Sequence, residues 1–506
     1  MVTEALGGRP QSKIRRDLEA TVSERRATGH DARRRAPRRA LGHWDEMARG
    51  HDALQTVLAQ NQFRLADVVP LRHQRMARSP WNLQIQHHPA AVAYPANPAE
   101  VAEVLAAARR AGLRIVPQGT GHGAAPLDGN LGDAVLLRTA GLRELAVDPE
   151  RRLARVGAGV LWGDLADAAG QHGLVGLHPS SPDVGVVGYS ISGGIGWYAR
   201  KLGLQCHAIS AVEVVLADGS LVRATADNEP ELFWALRGGG TPLGVVTALE
   251  FDLHPLDTVV AGLLAWDWTV AEQVFPAWAE WAVGAPEAAT TSLRLLDVPA
   301  EPFAPAELRG RRLLVVDGAV LDHDDEAAAV IAPLRALRPE VDTFTRVAAA
   351  SLVRLHLEPE GPTPAYATSR LLRALPGEAI SAVLDAVGPG SGTRLSIAEF
   401  RQLGGALKRP NAGSALTFLD GEILVLGLAL GREPAERDRL REDAGRLLDA
   451  LEPWTNGRQY LPMLDDQVDT RKAFPPDVLS RLVTLRATLD PDRLFVGQHP
   501  LPNSSS

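Results

Sequence analysis

The sequence predicts an α+β protein of two units: an α/β unit over residues 52–257, then an α+β unit over 258–450 whose antiparallel sheet is covered by helices. A segment over 451–506 closes the chain. Three observations predict this. The 506-residue length is too great for one ordinary core. From about Ala90 the pattern becomes a regular strand, helix, strand succession. After about residue 258 it changes to longer apolar runs mixed with alanine-rich helical stretches.

The first unit opens on "AAVAYPANPAEVAEVLAAARRAGLRIVPQGTGHG", a strand, a proline turn, a helix, a strand and a glycine loop. Val101, Val104, Leu105 and Ala108 recur at helical spacing, Asn97 precedes Pro98 as a cap, and Gly112 follows the end. This is a βαβ unit. Short β-rich runs follow, among them "DAVLLRT", "LARVGAGV" and "GVVTALEFDLHP". Between Val214 and Thr225, Asp218-Gly219 separates two such runs and predicts a tight hairpin. In the second unit "RRLLVVDGAVL" and "EILVLGLAL" read as strands and "HDDEAAAVIAPLRALRP" as a helix. The closing segment reads as a helix stopped at Asp490-Pro491 and an extended tail.

Composition narrows the function classes. A formal net charge of -8 gives no general attraction for nucleic acid or an anionic membrane, so small molecules are the expected partners. One cysteine, Cys206, excludes an internal disulfide and a cysteine-based zinc site, and no metal is expected from His73, His87 and His88. No run of about 18 apolar residues suggests a membrane span. Residues 1–51 read as a basic, disordered extension, where acidic residues interrupt the arginines and favour a solvated segment over a nucleic-acid arm. No apolar stretch follows Arg15-Arg16, so an export signal is unsupported and a cytoplasmic location is expected. Oligomeric state is not legible.

Three glycine-rich loops carry the functional signal. The first, Gly119-Thr-Gly-His-Gly123, surrounds His122. Backbone N–H groups in such a loop approach an anion closely, and a pyrophosphate suits it. Alone it is a weak signal that reads more readily as an ordinary tight turn, since it is neither Gly-x-Gly-x-x-Gly nor a P-loop. The second places Gly185, Gly188, Gly193, Gly194 and Gly196 within twelve residues. The third, "RGGGTPLGVV", puts Gly244 before a buried strand. Three loops in one α/β unit point to an extended ligand.

These stretches, with "GAGVLWGDLADAAGQHGL", "GYSISGGIGWYARKLGL" and "EVVLADGSLVRATADNEPELFWALRGGG" in the same order and spacing, resemble the vanillyl-alcohol oxidase superfamily of flavin-dependent oxidases, with its p-cresol methylhydroxylase-type (PCMH-type) FAD fold. Within it they resemble the berberine-bridge-enzyme-like group. The resemblance is strong over about residues 85–260, weak in the middle unit, and returns at "LDPDRLFVGQHPL". It implies a two-subdomain FAD-binding domain and an FAD-dependent oxidase that passes hydride from a small alcohol, sugar, phenol or amine carbon to FAD and then to dioxygen, giving hydrogen peroxide. It also implies that Gly119, Thr120, Gly121, His122 and Gly123, then Pro182, Asp183, Val184, Gly185, Gly188, Tyr189, Gly193, Gly194 and Gly196, and finally Gly244, Val245 and Val246 bind the cofactor. His122 sits where that group attaches the flavin 8α carbon to an imidazole.

The departures matter as much. Ser181 stands where doubly attached members have a cysteine and cannot form that thioether, so single attachment is expected, with Cys206 a packed side chain. Val184 matches the small residue that admits dioxygen beside the flavin. The usual catalytic glutamate is matched by Ala412, the usual Asn-Tyr pair by Val478 and Leu479, and Asn-Phe by Pro242-Leu243. For acid–base work Tyr460 is favoured, with Tyr189 and Tyr198 flanking the second loop and Glu399 and Arg401 on the expected substrate strand. The bland readings are a packed tyrosine for Tyr460 and a surface salt bridge for Arg401. The lost glutamate keeps open an alternative, a flavin-binding protein with a degenerate pocket.

Overall fold

The computed structural model describes residues 78–502 apart from 130, 241, 302–307, 359 and 432–435. The arginine-rich residues 1–51, the start of the unit expected from residue 52, and His73 lie outside the described residues.

The first unit holds two sheets. Strands β1 (Ala91–Ala93), β2 (Arg114–Gln118) and β3 (Ala134–Arg138) are parallel in the order β1-β3-β2, with helix α1 (Pro98–Arg110) as the crossover from β1 to β2. The Asn97 side chain accepts from the Glu100 N–H, and Glu100 reaches back to the Ala96 N–H, a reciprocal cap. Strands β4 (Leu145–Asp148) and β5 (Leu153–Gly157) are followed by helix α2 (Trp162–Gly170), the two-residue β6 (Leu174–Val175) and helix α3 (Val186–Ile191). Next come β7 (Ile209–Val215), β8 (Leu221–Ala224), helix α4 (Pro230–Leu236), β9 (Val245–Asp252) and β10 (His254–Pro255). The second sheet has the order β4-β5-β9-β7-β8 and is antiparallel. Its β7–β8 hairpin turns at Asp218-Gly219, where Gly219 has φ +89° and the Asp218 carboxylate accepts from the Ser220 N–H at 2.9 Å.

The second unit is one antiparallel sheet of β11 (Thr258–Asp267), β12 (Ala289–Asp297), β13 (Arg312–Val320), β14 (Val341–Asp342), β15 (Thr345–Ala348), β16 (Ala365–Leu372), β17 (Ile397–Gln402) and β18 (Ile423–Leu430). Its order is β14-β11-β13-β12-β17-β18-β16, with β15 beside β11. Helices α5 (Ala271–Gly284), α6 (Asp324–Arg335), α7 (Gly377–Val387) and α8 (Arg437–Ala450) contribute to one core with Leu293, Leu295, Leu314, Val316, Ala398, Phe400 and Val425. Side chains alternate along a strand, so that core claims one face of the sheet. The other face carries Ser292, Arg294, Asp317, Glu399 and Arg401, and it meets the first unit.

Two buried arginines tie the units together. Arg200 donates to the carbonyls of Leu403 and Pro286, each at 2.9 Å, and to those of Ala285 and Ala289. Arg237 donates to the carbonyls of Cys206 and His207 on its own side and to that of Gly413 across the junction at 2.8 Å. The closing segment returns to the first unit. Helix α9 (Pro476–Leu489) buries Val478, Leu479 and Leu482 in its core, and Asp490 caps the following turn by accepting from the N–H groups of Leu494 and Phe495. Ile115 of β2 then exchanges backbone bonds with Leu494 and Val496.

Candidate functional site

The first glycine loop follows β2 because Gly119–Gly123 cannot continue a sheet. Gly121 has φ +88°, and a Cβ there would lie 2.5 Å from the Pro80 Cβ, so only glycine fits. The second loop, Pro182–Gly185, lies directly against it, since a Cβ on Gly185 would make ordinary contact with the Thr120 side chain at 3.6 Å.

His122 is fixed at this junction. Its Nδ1 lies 2.8 Å from the Thr120 hydroxyl, and its ring stacks on Trp81 with centroids 4.3 Å apart and planes 20° from parallel. Its Nε2 faces the Asp183 carboxylate at 3.5 Å, longer than a hydrogen bond, and has no bonded partner. Asp183 also accepts from the Trp81 indole N–H at 2.7 Å, the Gly361 N–H at 2.8 Å and the Ser181 hydroxyl at 2.9 Å. Burial favours its neutral form, but His122 and these donors outweigh burial and hold it well below the usual carboxylate range. Ser181, expected to replace a flavin-linking cysteine, thus bonds to Asp183.

The later glycines of the second loop serve close packing. Gly194 has φ +84°, its N–H donates to the Tyr460 hydroxyl at 2.9 Å, and a Cβ there would sit 2.6 Å from the Tyr189 ring. Gly196 passes so close to the His178 carbonyl that no side chain fits. Tyr189 donates to the Leu177 carbonyl at 3.1 Å, and Tyr198 to that of Ala349 at 2.7 Å. Burial raises both phenols, and raises Tyr460 well above 10, so Tyr460 is a neutral hydroxyl that accepts from the loop and keeps its own proton to donate.

In the third region Gly238 packs on Leu416, while Gly244 lies against Val214 and Val215. Val245 and Val246 are buried in the pairing of β9 with β7. The link to the first loop runs through Ala158, whose N–H donates to the Thr247 carbonyl and whose own carbonyl lies near Gly119. Val184, within the second loop, is half-buried and packs on the core.

Opposite the glycine loops lies the polar face of the second sheet. Arg401, a candidate whose bland reading was a surface salt bridge, is not at the surface: it is 8% exposed and donates through both Nε and Nη2 to Glu399, at 2.9 and 2.8 Å. The correction has a simple cause: β17 is an interior strand, and its polar side is covered by the first unit. His356 joins the pair, with its Nε2 3.8 Å from Glu399 and 3.6 Å from Asp317, and its Nδ1 3.2 Å from Glu358. Asp317 in turn pairs with Arg294 and accepts from the Ser292 hydroxyl at 2.6 Å. Trp197 of the second loop meets the His356 ring edge-on at 4.8 Å.

Burial pushes Glu399 up, but Arg401, His356 and Arg294 pull it down further, so it is ionised. Burial and Arg294 lower His356, while Asp317 and Glu358 more than restore it. Sequence reasoning missed Ser292, Arg294, Asp317 and His356. The readable signal was a lone aspartate inside the apolar run "LLVVDGAVL" and two polar residues at spacing two in "TTSLRLLD". Ala412 lies in an exposed turn between Asn411 and Gly413, and Cys206 is fully buried, its thiol pushed up to about 12. His87 is buried with both ring nitrogens unbonded; among the described residues no His, Cys, Asp and Glu group suited to a metal occurs. Among them, too, no helix is long and apolar enough to cross a membrane.

The donor set fits a flavin dinucleotide. Both side-chain polar atoms of Gln118 and the Ser190 hydroxyl are buried without hydrogen-bond partners along the first two loops, and open space faces Gly188. Residues 89–225 match the FAD binding domain family. The chain is 33% identical over 218 residues to xylooligosaccharide oxidase of Thermothelomyces thermophilus, covering 41% of this chain and 44% of that protein. It is 34% identical over 194 residues to (R)-6-hydroxynicotine oxidase of Paenarthrobacter nicotinovorans, covering 38% and 42%. The aligned stretch thus spans less than half the length of these curated relatives. In fold the likeness is wider. The structure of BBE-like 1 from Physcomitrella patens superposes with a TM-score of 0.76 at 20% identity, over 89% of this chain and 99% of that one. That of Acremonium strictum glucooligosaccharide oxidase superposes with 0.75 at 19%, over 90% and 99%. Residues 89–225 thus carry an FAD binding domain, and the chain as a whole shares the fold of BBE-like 1 and glucooligosaccharide oxidase.

Proposed function

We propose that the protein is an FAD-linked oxidase that takes hydride from the carbon of a small alcohol, sugar, phenol or amine and delivers the electrons to dioxygen as hydrogen peroxide. The observation that carries the reading is the ionised Glu399, buried with Arg401 on the sheet face opposite the glycine loops. Relatives whose names give xylooligosaccharide and 6-hydroxynicotine as substrates support the class of reaction but not one substrate. FAD, when bound, supplies a two-electron acceptor. The first two glycine loops would hold it, with His122 as a single covalent anchor, because Ser181 offers no second one.

The chain's own contribution is proton handling and orientation. Glu399 is the acceptor for the heteroatom proton of the substrate, and Arg401 fixes its carboxylate through two hydrogen bonds. The Tyr460 hydroxyl, held by the Gly194 N–H, donates to the same substrate oxygen or nitrogen. Val184, within the second loop, leaves room for dioxygen. A flavoprotein with a degenerate pocket is the weaker reading, because an ionisable acceptor lies on the substrate face although Ala412 replaces the usual one.

Acid precipitation of the purified yellow protein tests the anchor: colour should stay in the pellet and leave it in His122→Ala. Oxygen uptake and peroxide release with a panel of sugars, alcohols, phenols and amines test the oxidase. Silence across the panel from flavin-loaded protein would support the binding role instead.

A further inference from the structure

We propose that Asp183 is the positioning residue that makes His122 the flavin anchor, by holding the imidazole as its Nε2–H tautomer and leaving the Nδ1 lone pair to attack the flavin. The inference rests on covalent attachment through His122 as proposed above, and adds which side chain sets the tautomer that attacks.

The geometry is asymmetric. On the Nε2 side stands a carboxylate, which accepts and cannot donate, and an Nε2 lone pair would point at its negative oxygen. On the Nδ1 side stands the Thr120 hydroxyl at 2.8 Å, which can donate to a lone pair and can also rotate away. The tautomer with hydrogen on Nε2 turns its N–H dipole toward the carboxylate 3.5 Å away and leaves a lone pair for the Thr120 hydroxyl; the other sets a lone pair against the carboxylate. Asp183 cannot swing aside, because its two oxygens are fixed by Trp81, Gly361 and Ser181. Trp81 does two jobs, stacking on the imidazole to set its plane and bonding the carboxylate that sets its proton. In the Pro-Thr-Val-Gly stretch of doubly attached relatives, Asp183 takes the place of the threonine and Ser181 lies just before it, so the residue in the cysteine's place now supports the remaining anchor.

Attachment breaks one C–H bond of the flavin 8α-methyl group and forms one N–C bond from the Nδ1 lone pair. The two electrons of the broken bond enter the flavin ring. One proton leaves the methyl carbon and one leaves Nε2, and dioxygen takes both electrons and both protons as hydrogen peroxide. As Nδ1 becomes alkylated the imidazole turns cationic, and the carboxylate beside Nε2 stabilises that charge until the proton departs, as in a histidine–aspartate catalytic pair.

The test uses full-length protein. Wild type should keep flavin in the acid pellet, with the 8α adduct mapped by mass spectrometry to the peptide of His122. Asp183→Asn should bind flavin in the native state yet release it to the acid supernatant, with attachment slowed at least ~100-fold, and Asp183→Glu should restore part of it. Full attachment in Asp183→Asn at the wild-type rate overturns the role of Asp183 and leaves the anchor standing. Free flavin from the wild type overturns the anchor and this role together. Should Asp183→Asn fail to fold, 15N spectra of histidine-labelled, flavin-depleted wild type decide: an Nε2–H tautomer for His122 supports the proposal, and an Nδ1–H tautomer overturns it.

Discussion

Asp465 offers a stability measurement in which the sign, the size and the pH window all come from the structure. It lies in the closing segment, where its backbone N–H donates to the Ala367 carbonyl at 3.0 Å. Its Oδ2 accepts from the Ala367 N–H at 2.8 Å and from the Asn82 side-chain amide at 3.3 Å. The carboxyl therefore staples the closing segment to β16 and to the strap before β1. Burial pushes its pKa up to about 7, and the two hydrogen bonds and Arg437 only partly oppose this, while Asp466 adds to it. Below the ordinary value near 3.8 the carboxyl is neutral in folded and unfolded chains alike, so burial costs nothing in ionisation. Between there and about 7 only the unfolded chain releases the proton, and stability falls as pH rises. The full difference amounts to ~4 kcal/mol, an upper bound that relaxation reduces to about 2–4 kcal/mol.

Asp465→Asn keeps the acceptor oxygen and removes the ionisation. Asparagine should therefore match wild type at pH 4 and be the more stable protein at pH 8. Each kcal/mol moves the midpoint of a chain this long by only ~1 °C, so the expected gain is about 2–4 °C. Paired thermal melts at matched flavin content, from pH 4 to 8.5, read the difference directly. A gap independent of pH, or an asparagine variant less stable at pH 8, would refute the reasoning.

Three further outcomes are expected. Tyr460→Phe strands the buried Gly194 N–H and should cost ~1–3 kcal/mol, read as a lowered melting midpoint; an unchanged midpoint contradicts the bond. Glu399→Gln should lower turnover per bound flavin by about 10²–10⁴-fold with flavin content retained, and oxygen uptake within twofold of wild type would remove Glu399 from the chemistry. Gly194→Ala forces a side chain into the left-handed region against Tyr189 and should cost ~2–5 kcal/mol, measured as loss of soluble, flavin-loaded protein; normal yield and midpoint would show that the loop yields.

How much of this was legible in the sequence follows from the range over which each feature is decided. The Asn97 cap, the Asp218-Gly219 hairpin and the helix stop at Asp490-Pro491 depend on neighbours a few residues away, and the structure places each as read. The glycine loops stood out for the same reason. Their division of labour did not, because whether a glycine admits a ligand or a packed ring depends on what faces it: Gly188 faces open space, whereas Gly194 and Gly238 face Tyr189 and Leu416. Asp183 was expected at the cofactor, but its bonds to Trp81 and Gly361 span 102 and 178 residues and leave no local trace.

The substrate face shows where the limit lies and how it can be moved. Glu399 and Arg401 were singled out as lying on the expected substrate strand, where spacing two puts both on one side. The same parity holds for Ser292 and Arg294, and the strand register sets Arg294 beside Glu399 and Ser292 beside both Arg401 and Asp317. A sheet with one face under helices has no apolar reason to keep charge on the other, and each buried ion must be paired to be tolerated there. Polar residues interrupting otherwise apolar runs were therefore a readable mark of three neighbouring strands of one polar face, although only Glu399 and Arg401 were taken from it. His356 belongs to no such pattern. It sits in a turn, and only the meeting of Asp317, Glu399 and Trp197 around it brings it into the cluster.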